Sequence, residues 1–292
     1  VFLSEDRYDN LRALLLDKQN IILQGSPGVG KTFSAKRLAY SILEEKDDSK
    51  VQLVQFHQNY TYEDFVMGYK PNEDGGFYLR PGVFYNFCKR AQQHPDGKYF
   101  FIIDEINRGE ISKILGELFF SIDPGYRGRR GEIATQYASL HKFPEEKFYI
   151  PDNVYIIGTM NDIDRSVDNF DFAMRRRFRF LKLRANDCLD MLNEIQEESK
   201  RKEAIRRMQS LNQAIAEVEE LNENYQIGAS YFLKLKTLEL DFKQLWEDYL
   251  EPLLEEYIRG VADETTVMNQ LRQAYEADAT KGGTNESVQN PG

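Results

Sequence analysis

Cysteine is scarce in this chain. Cys88 and Cys188 lie far apart and match no metal-ligand spacing, which argues against a cysteine-bound metal and suits a reducing compartment, the cytoplasm. The three histidines (His57, His94, His141) are scattered, and each reads as a surface or core residue rather than a ligand. The longest apolar runs are five or six residues, far short of the roughly 20 that cross a bilayer. No signal-peptide pattern is present, so no membrane partner is expected. Basic charge is in deficit: 48 acidic against 38 basic side chains leave a formal net charge of −10. Broad attraction to nucleic acid is therefore not the default, although a local basic groove in an assembly stays open. The Asp, Glu and Lys residues show no spacing of a phosphodiesterase site, so any cutting of nucleic acid is assigned to another chain. The 292 residues have room for a main domain and a smaller one. A start at Val1 suggests neighbouring domains that are missing from this sequence.

What is present centres on Gly25-Ser26-Pro27-Gly28-Val29-Gly30-Lys31-Thr32, of the form G-x-x-x-x-G-K-[ST]. The apolar run Ile21–Leu23 enters it and a helical pattern (Phe33, Leu38, Ile42) leaves it. Strand, loop and helix at this spacing form a phosphate cradle. The glycines let backbone N–H groups turn inward on a polyphosphate, and the helix presents its positive end to the same charge. Lys31 is expected to reach the β- and γ-phosphates, and Thr32 to hold Mg²⁺ through its hydroxyl. The pattern predicts binding of a nucleoside triphosphate.

The rest of the chain supplies a frame for that loop. Residues 4–16 read as a helix with Ser4 as N-cap. Val51–Phe56 reads as a second buried strand, and the Gly75-Gly76 pair before Phe77-Tyr78-Leu79 as a hairpin, followed by a helix to about Gln93. Tyr99-Phe100-Phe101-Ile102-Ile103 has no alternation, the mark of a strand buried on both faces of a parallel sheet. Asp104 and Glu105 stand at its C-terminal end, where ligands bind in open α/β sheets. Asp104 is placed to hold Mg²⁺ and Glu105 to polarise a water for attack on the γ-phosphate. Ile111–Ile122 reads as one helix, and 123–153 as loops with a short hairpin. Val154–Asn161 is a third buried strand, whose terminal Asn161 is placed to contact the γ-phosphate or orient the attacking water. Asp164 and Arg165 follow, then a short helix ending in Arg175-Arg176-Arg177 and an edge strand, Phe178–Leu183. After Arg184 the texture turns helical: apolar residues recur at three or four from Leu189 to Leu221, and further helical patterns cover 230–236, 238–259 and 264–277. The fold class is α/β, with domains at 1–184 (nucleotide-binding) and 185–281 (helical lid), and a tail at 282–292 read as disordered.

Strand–phosphate loop, strand–Asp-Glu, strand–Asn, an arginine cluster and a helical lid resemble the layout of AAA+ P-loop proteins, a central parallel sheet flanked by helices. The stretches Phe56-His57-Gln58-Asn59-Tyr60-Thr61-Tyr62-Glu63-Asp64-Phe65 and Gly68-Tyr69-Lys70-Pro71 are similar to the McrB family, GTPase motors of modification-dependent restriction systems. Asp104–Arg108, Asn153–Gly158 with Met160-Asn161, Ala173–Phe178, and Tyr225–Gly228 with Ser230-Tyr231-Phe232 share that resemblance, which covers about residues 19–260. It implies a hexameric ring with GTP between subunits, an McrC-like nuclease and activator subunit, and DNA in the full complex. Two departures stand out. The family's Asn-Thr-Ala-Asp signature is here Asn161-Asp162-Ile163-Asp164, with an extra carboxylate at Asp162. The motor starts within about twenty residues, so no reader of modified DNA is expected ahead of it in this sequence, which leaves the DNA target open.

On this reading one subunit supplies the loop Gly25–Thr32, the metal carboxylate Asp104, the water-directing Glu105, and Asn161 with Asp164 for alignment. Arg176 or Arg177, less so Arg175, is expected to project onto the neighbour's γ-phosphate, a contribution of about 10³–10⁵ in rate. Arg165 and Arg108 are weaker candidates for subunit contacts. Three rival readings stay open: an ATP-dependent AAA+ remodeller of proteins, a nucleotide-dependent assembly switch with slow turnover, and a direct nucleic-acid binder with Arg127-Gly128-Arg129-Arg130 lining a pore.

Overall fold

The computed structural model describes residues 3–73, 75–140, 145–161, 163 and 172–277. The chain divides into two compact units, Val1–Cys188 and Leu189–Gly292.

In the first unit, α1 (Glu5–Lys18) leads into β1 (Asn20–Gly25), α2 (Lys31–Leu43) and β2 (Val51–Gln55). A short helix α3 (Tyr62–Phe65), the hairpin β3–β4 (Met67–Pro71, Phe77–Pro81) and α4 (Val83–Gln93) follow. Then come β5 (Tyr99–Asp104), α5 (Ile111–Leu115), α6 (Leu118–Ser121), β6 (Val154–Asn161), α7 (Phe172–Arg177) and β7 (Arg179–Leu183). The main sheet has the order β2-β5-β6-β1-β7, parallel at every pairing. Continuous apolar runs make this possible. Ile21–Leu23 and Phe100–Ile102 are fully buried, and strands covered on both faces need no polar alternation. β7 is an edge strand, as its alternating sequence predicts.

The register places the site. Gly25 stands opposite both Asn161 and Leu183, and β5 runs beside β6 with Ile103 opposite Gly158. The C-terminal ends of β1 and β6 are thus level and β5 stops just short of them, with β6 between the other two.

Several local expectations change. Ser4 stands at the start of α1, but its hydroxyl caps nothing; Tyr8 N–H bonds its carbonyl instead. The helix expected over Ile111–Ile122 is two short helices. Gly116, at φ +51°, breaks it where a Cβ would press on the Tyr62 ring. The hairpin expected within 123–153 is a single antiparallel bridge, Ile133 to Phe148, among 3₁₀ turns.

The second unit is helical: α8 (Glu198–Glu217), α9 (Ala229–Phe232), α10 (Phe242–Leu245), α11 (Glu251–Ile258) and α12 (Glu264–Glu276). Ala204, Met208, Leu211 and Ile215 of α8 are buried at the three-and-four spacing. Asn212, buried among them, holds the incoming loop through both ends of its amide, donating to Ile227 O at 2.9 Å and accepting from Ile227 N at 2.6 Å. The helical pattern expected over 238–259 begins only at Phe242. Glu239 and Leu240 are left-handed, and Asp241 caps α10 by accepting from Lys243 and Gln244 N–H. The expected tail 282–292 lies outside the described residues.

Candidate nucleotide site

The phosphate loop needs glycine for two separate reasons. Gly28 and Gly30 sit at φ +80° and +76°, where a Cβ is disfavoured. Gly25 has ordinary backbone angles but no room: a Cβ there would lie 2.2 Å from Leu183 O on the neighbouring strand. Ser26 and Val29 are buried and anchor the loop, while Pro27 is partly exposed at its crest. Gly30 caps α2, whose first turn carries no acidic residue. The N-terminal N–H groups and positive end of α2 therefore have no first-turn carboxylate competing for them.

Lys31 is largely buried. Its ammonium donates to Gly25 O and Ser26 O, both at 2.9 Å, and to Asn161 Oδ1 at 2.6 Å. Asn161 in turn donates through Nδ2 to Glu105 Oε1 at 2.8 Å. The chain Lys31–Asn161–Glu105 thus spans the ends of three adjacent strands, and it fixes the amide's orientation, oxygen to the cation and nitrogen to the carboxylate. Glu105 is held further by its backbone, left-handed at φ +51°, ψ +45°. A non-glycine residue there stores about 1–3 kcal/mol of strain, a cost seen at functional sites. Its other oxygen lies 3.3 Å from Arg108 Nε.

A second cluster surrounds Asp104, where Oδ1 accepts from Thr32 Oγ1 and from Thr159 Oγ1, each at 2.5 Å. Thr159 also accepts from Glu105 N–H at 3.3 Å, so one hydroxyl sets both carboxylate residues. Sequence reading missed Thr159, although a signal existed: it precedes Asn161 by two on a strand, which puts both on one face. The Thr32 hydroxyl and Asp104 carboxylate are hard oxygen donors of the kind Mg²⁺ takes. Among the described residues no group of three or more His, Cys, Asp or Glu forms a metal cage. An ion held here would complete its shell with water and phosphate oxygens, the ordinary habit of Mg²⁺.

The three arginines are at the other end of the sheet and behave differently. Arg175 is exposed, its guanidinium 5.3 Å from the Phe180 ring centre. The Arg176 side chain is 70% exposed, 3.6 Å from Asp123. Arg177 turns inward, 4.2 Å over the Phe119 ring, and donates to Ala173 O at 2.9 Å. Asp164, with Asp162 and Arg165, lies outside the described residues.

Arg127 corrects the pore-lining reading. It is fully buried, donating to Ile122 O at 3.1 Å, Val154 O at 3.4 Å and Asn20 Oδ1 at 2.5 Å. Burial pulls its pKa down to about 10. Only Arg129 and Arg130 of that stretch remain exposed.

Two family models match the chain. The AAA domain of the dynein-related subfamily covers residues 20–178, and the α-helical lid domain of McrB covers residues 203–266. Among curated proteins, the type IV methyl-directed restriction enzyme EcoKMcrB subunit of Escherichia coli K12 is 44% identical over 238 residues, 80% of this chain and 51% of that protein. The type II restriction enzyme BsuMI component YdiS of Bacillus subtilis 168 is 26% identical over 193 residues, 56% of each. The chain spans about half the length of both relatives. No helix among the described residues is long and apolar enough to cross a membrane.

Proposed function

Because the chain belongs to the AAA family and is of the McrB type, with that protein's helical lid, we propose that it hydrolyses a nucleoside triphosphate, GTP in preference to ATP, as the motor subunit of a modification-dependent restriction complex. The observation that carries this reading is the Lys31–Asn161–Glu105 chain beside the Thr32–Asp104–Thr159 cluster. Cation, amide, general base and metal donors converge at adjacent strand ends, the parts phosphoryl transfer requires. Phosphate oxygens take over the Lys31 donors now directed at loop carbonyls. Asn161 then aligns Glu105, which accepts a proton from the attacking water. Mg²⁺, held by Thr32 and Asp104, supplies charge neutralisation on the phosphates when bound. Asp164 joins Asn161 in alignment.

Strand register supports an arginine supplied by a second copy. Arg179, two residues past Arg177, pairs with Ile21, whereas the phosphate loop begins at Gly25. Four strand residues, about 13 Å, separate the two levels, more than an arginine side chain spans. Arg176 therefore serves a neighbour's γ-phosphate, and the working unit is a ring, six-membered as the resemblance implies. DNA is the translocated substrate, and cutting belongs to an McrC-like nuclease subunit that also activates turnover. The compartment is the cytoplasm.

The test is the mass of the purified chain with GTP, ATP or neither, followed by turnover in each peak. A ring that forms and turns over preferentially with GTP is expected. Assembly and turnover favouring ATP would move the chain to the protein-remodelling class, and assembly with no turnover, with or without the nuclease partner, to the switch class.

A further inference from the structure

We propose that Asn20, backed by Arg127, is a positioning residue that sets the arginine-bearing helix α7 for donation to a neighbouring subunit, with Arg176 the donor and Arg177 its brace. This rests on the shared-site reading above.

Asn20 opens the strand that ends in the phosphate loop, and it is fully buried. A buried amide is costly unless its polar atoms are paired. Both ends of this one are paired, and with two distant stretches of the chain. Nδ2 donates to Ile122 O at 2.7 Å and to Arg177 O at 3.0 Å, while Oδ1 accepts from Arg127. Arg177 closes α7, so its carbonyl is one of the orphan acceptors at a helix C-terminus. Asn20 satisfies it from a strand 157 positions earlier.

Arg127 makes this anchor rigid. Its guanidinium is fully buried and, among the described residues, has no carboxylate within ion-pair distance; it donates to Ile122 O, Val154 O and Asn20. Burying a cation against neutral acceptors carries a large desolvation cost. Here it ties the start of β6 and the end of α6 to the same amide that holds α7.

The arginines divide accordingly. Arg177 is tied by its carbonyl to Asn20 and by its guanidinium to Phe119 and Ala173 O. Its Nε is buried with no hydrogen-bond partner among the described residues, so it faces inward and does not reach another subunit. Arg176 is the neighbour left projecting; among the described residues its side chain makes one ionic contact, with Asp123 at 3.6 Å, and a pair with so exposed a partner is worth little in water. β1 therefore carries the nucleotide loop at one end and the mount for the donated arginine at the other.

The discriminating variant is Asn20→Asp. It keeps the side-chain size and the acceptor for Arg127, and removes both donors. Nucleotide binding by the variant should stay within about twofold, with turnover down about 10²-fold, the scale of a misplaced catalytic group. Mixed rings make the test directional. Asn20→Asp mixed with Glu105→Gln should recover turnover, because the Glu105→Gln subunits bring sound arginines to sound Asn20→Asp nucleotide sites. Asn20→Asp mixed with Arg176→Ala should recover none, because neither subunit donates. Recovery with Arg176→Ala, or no recovery with Glu105→Gln, would overturn the role of Asn20, as would normal turnover of Asn20→Asp alone. If Asn20→Asp does not fold, Phe119→Leu takes its place and must give the same one-sided pattern. The control mixture of Arg176→Ala with Glu105→Gln separates the two ideas: no recovery there sinks the shared site itself.

Discussion

The side-chain amide of Asn161 donates to Glu105 Oε1 at 2.8 Å, so the residue that ends one strand holds the carboxylate just past the end of the next. Glu105 by itself is a partly exposed side chain on a left-handed residue. Through Asn161 it is linked to Lys31, and so to the phosphate loop. An amide that touches both Lys31 and Glu105 makes the position of the proposed general base depend on what the loop holds.

Asn161→Ala should therefore reduce turnover by about 10²–10³, the scale of a lost preorganised donor, while nucleotide binding changes little. Glu105→Gln should bind nucleotide and hardly turn it over. Single-turnover hydrolysis beside equilibrium binding of a fluorescent nucleotide checks both. Loss of binding on a par with loss of turnover in Asn161→Ala would show that the residue acts on the loop and not on the base.

Gly25→Ala should fail as a protein before it fails as an enzyme. The added Cβ meets the Leu183 carbonyl of β7 at 2.2 Å, backbone that cannot rotate aside. Overpacking of this kind costs about 1–3 kcal/mol, so the thermal midpoint should fall along with nucleotide affinity. Gly75→Ala is the contrast: its φ is +79°, but nothing lies within 4 Å, and it should show only a small backbone penalty and normal binding.

Arg127→Ala should destabilise the first unit by about 2–4 kcal/mol, leaving buried acceptors unpaired and a cavity behind. Denaturant unfolding measures it. Salt-dependent DNA binding by an assembled ring should be unaffected by conservative changes at Arg127 and weakened only by reversal of exposed charges such as Arg129 and Arg130.

Much of this site is legible in the sequence because it rests on short-range rules. The glycine-lysine-threonine spacing, the unalternating apolar run before Asp104-Glu105 and the strand ending in Asn161 each declare themselves locally. The strand order then puts Asn161 between the other two strands. What the sequence hides is long-range. Arg127 sits in a stretch that looks solvated, and only the fold shows it buried against Asn20. Asn20 stands just before the apolar run Ile21–Leu23, and only the fold shows it buried. The break at Gly116 follows from the crowding of Tyr62, 54 positions away, and no helical periodicity reports that.

Alkaline pH should unfold the chain earlier than its ordinary groups require. Burial pushes the Tyr60 phenol up to about 12, and burial together with the Glu117 carboxylate holds the Tyr62 phenol well above its usual value. Both favour the protonated phenol in the fold, so their stabilisation is fully present below pH 10 and is lost as pH rises through the folded values. Arg127, shifted down, works in the opposite sense over the same range, but Tyr275 is raised by burial as well. The urea midpoint should be level from pH 8 to 9.5 and fall from 10 to 12, less steeply in Tyr62→Phe. A midpoint that rises across that window would contradict the assignment.

The claim on which the rest depends is that each nucleotide is turned over between two copies. Turnover per chain, measured with saturating GTP and Mg²⁺ across chain concentrations while the mass is followed on the same samples, tests it most directly. The expected result is negligible turnover while the chain is single, rising with the fraction assembled. A single copy that turns over at full rate, unchanged by dilution, would contradict it.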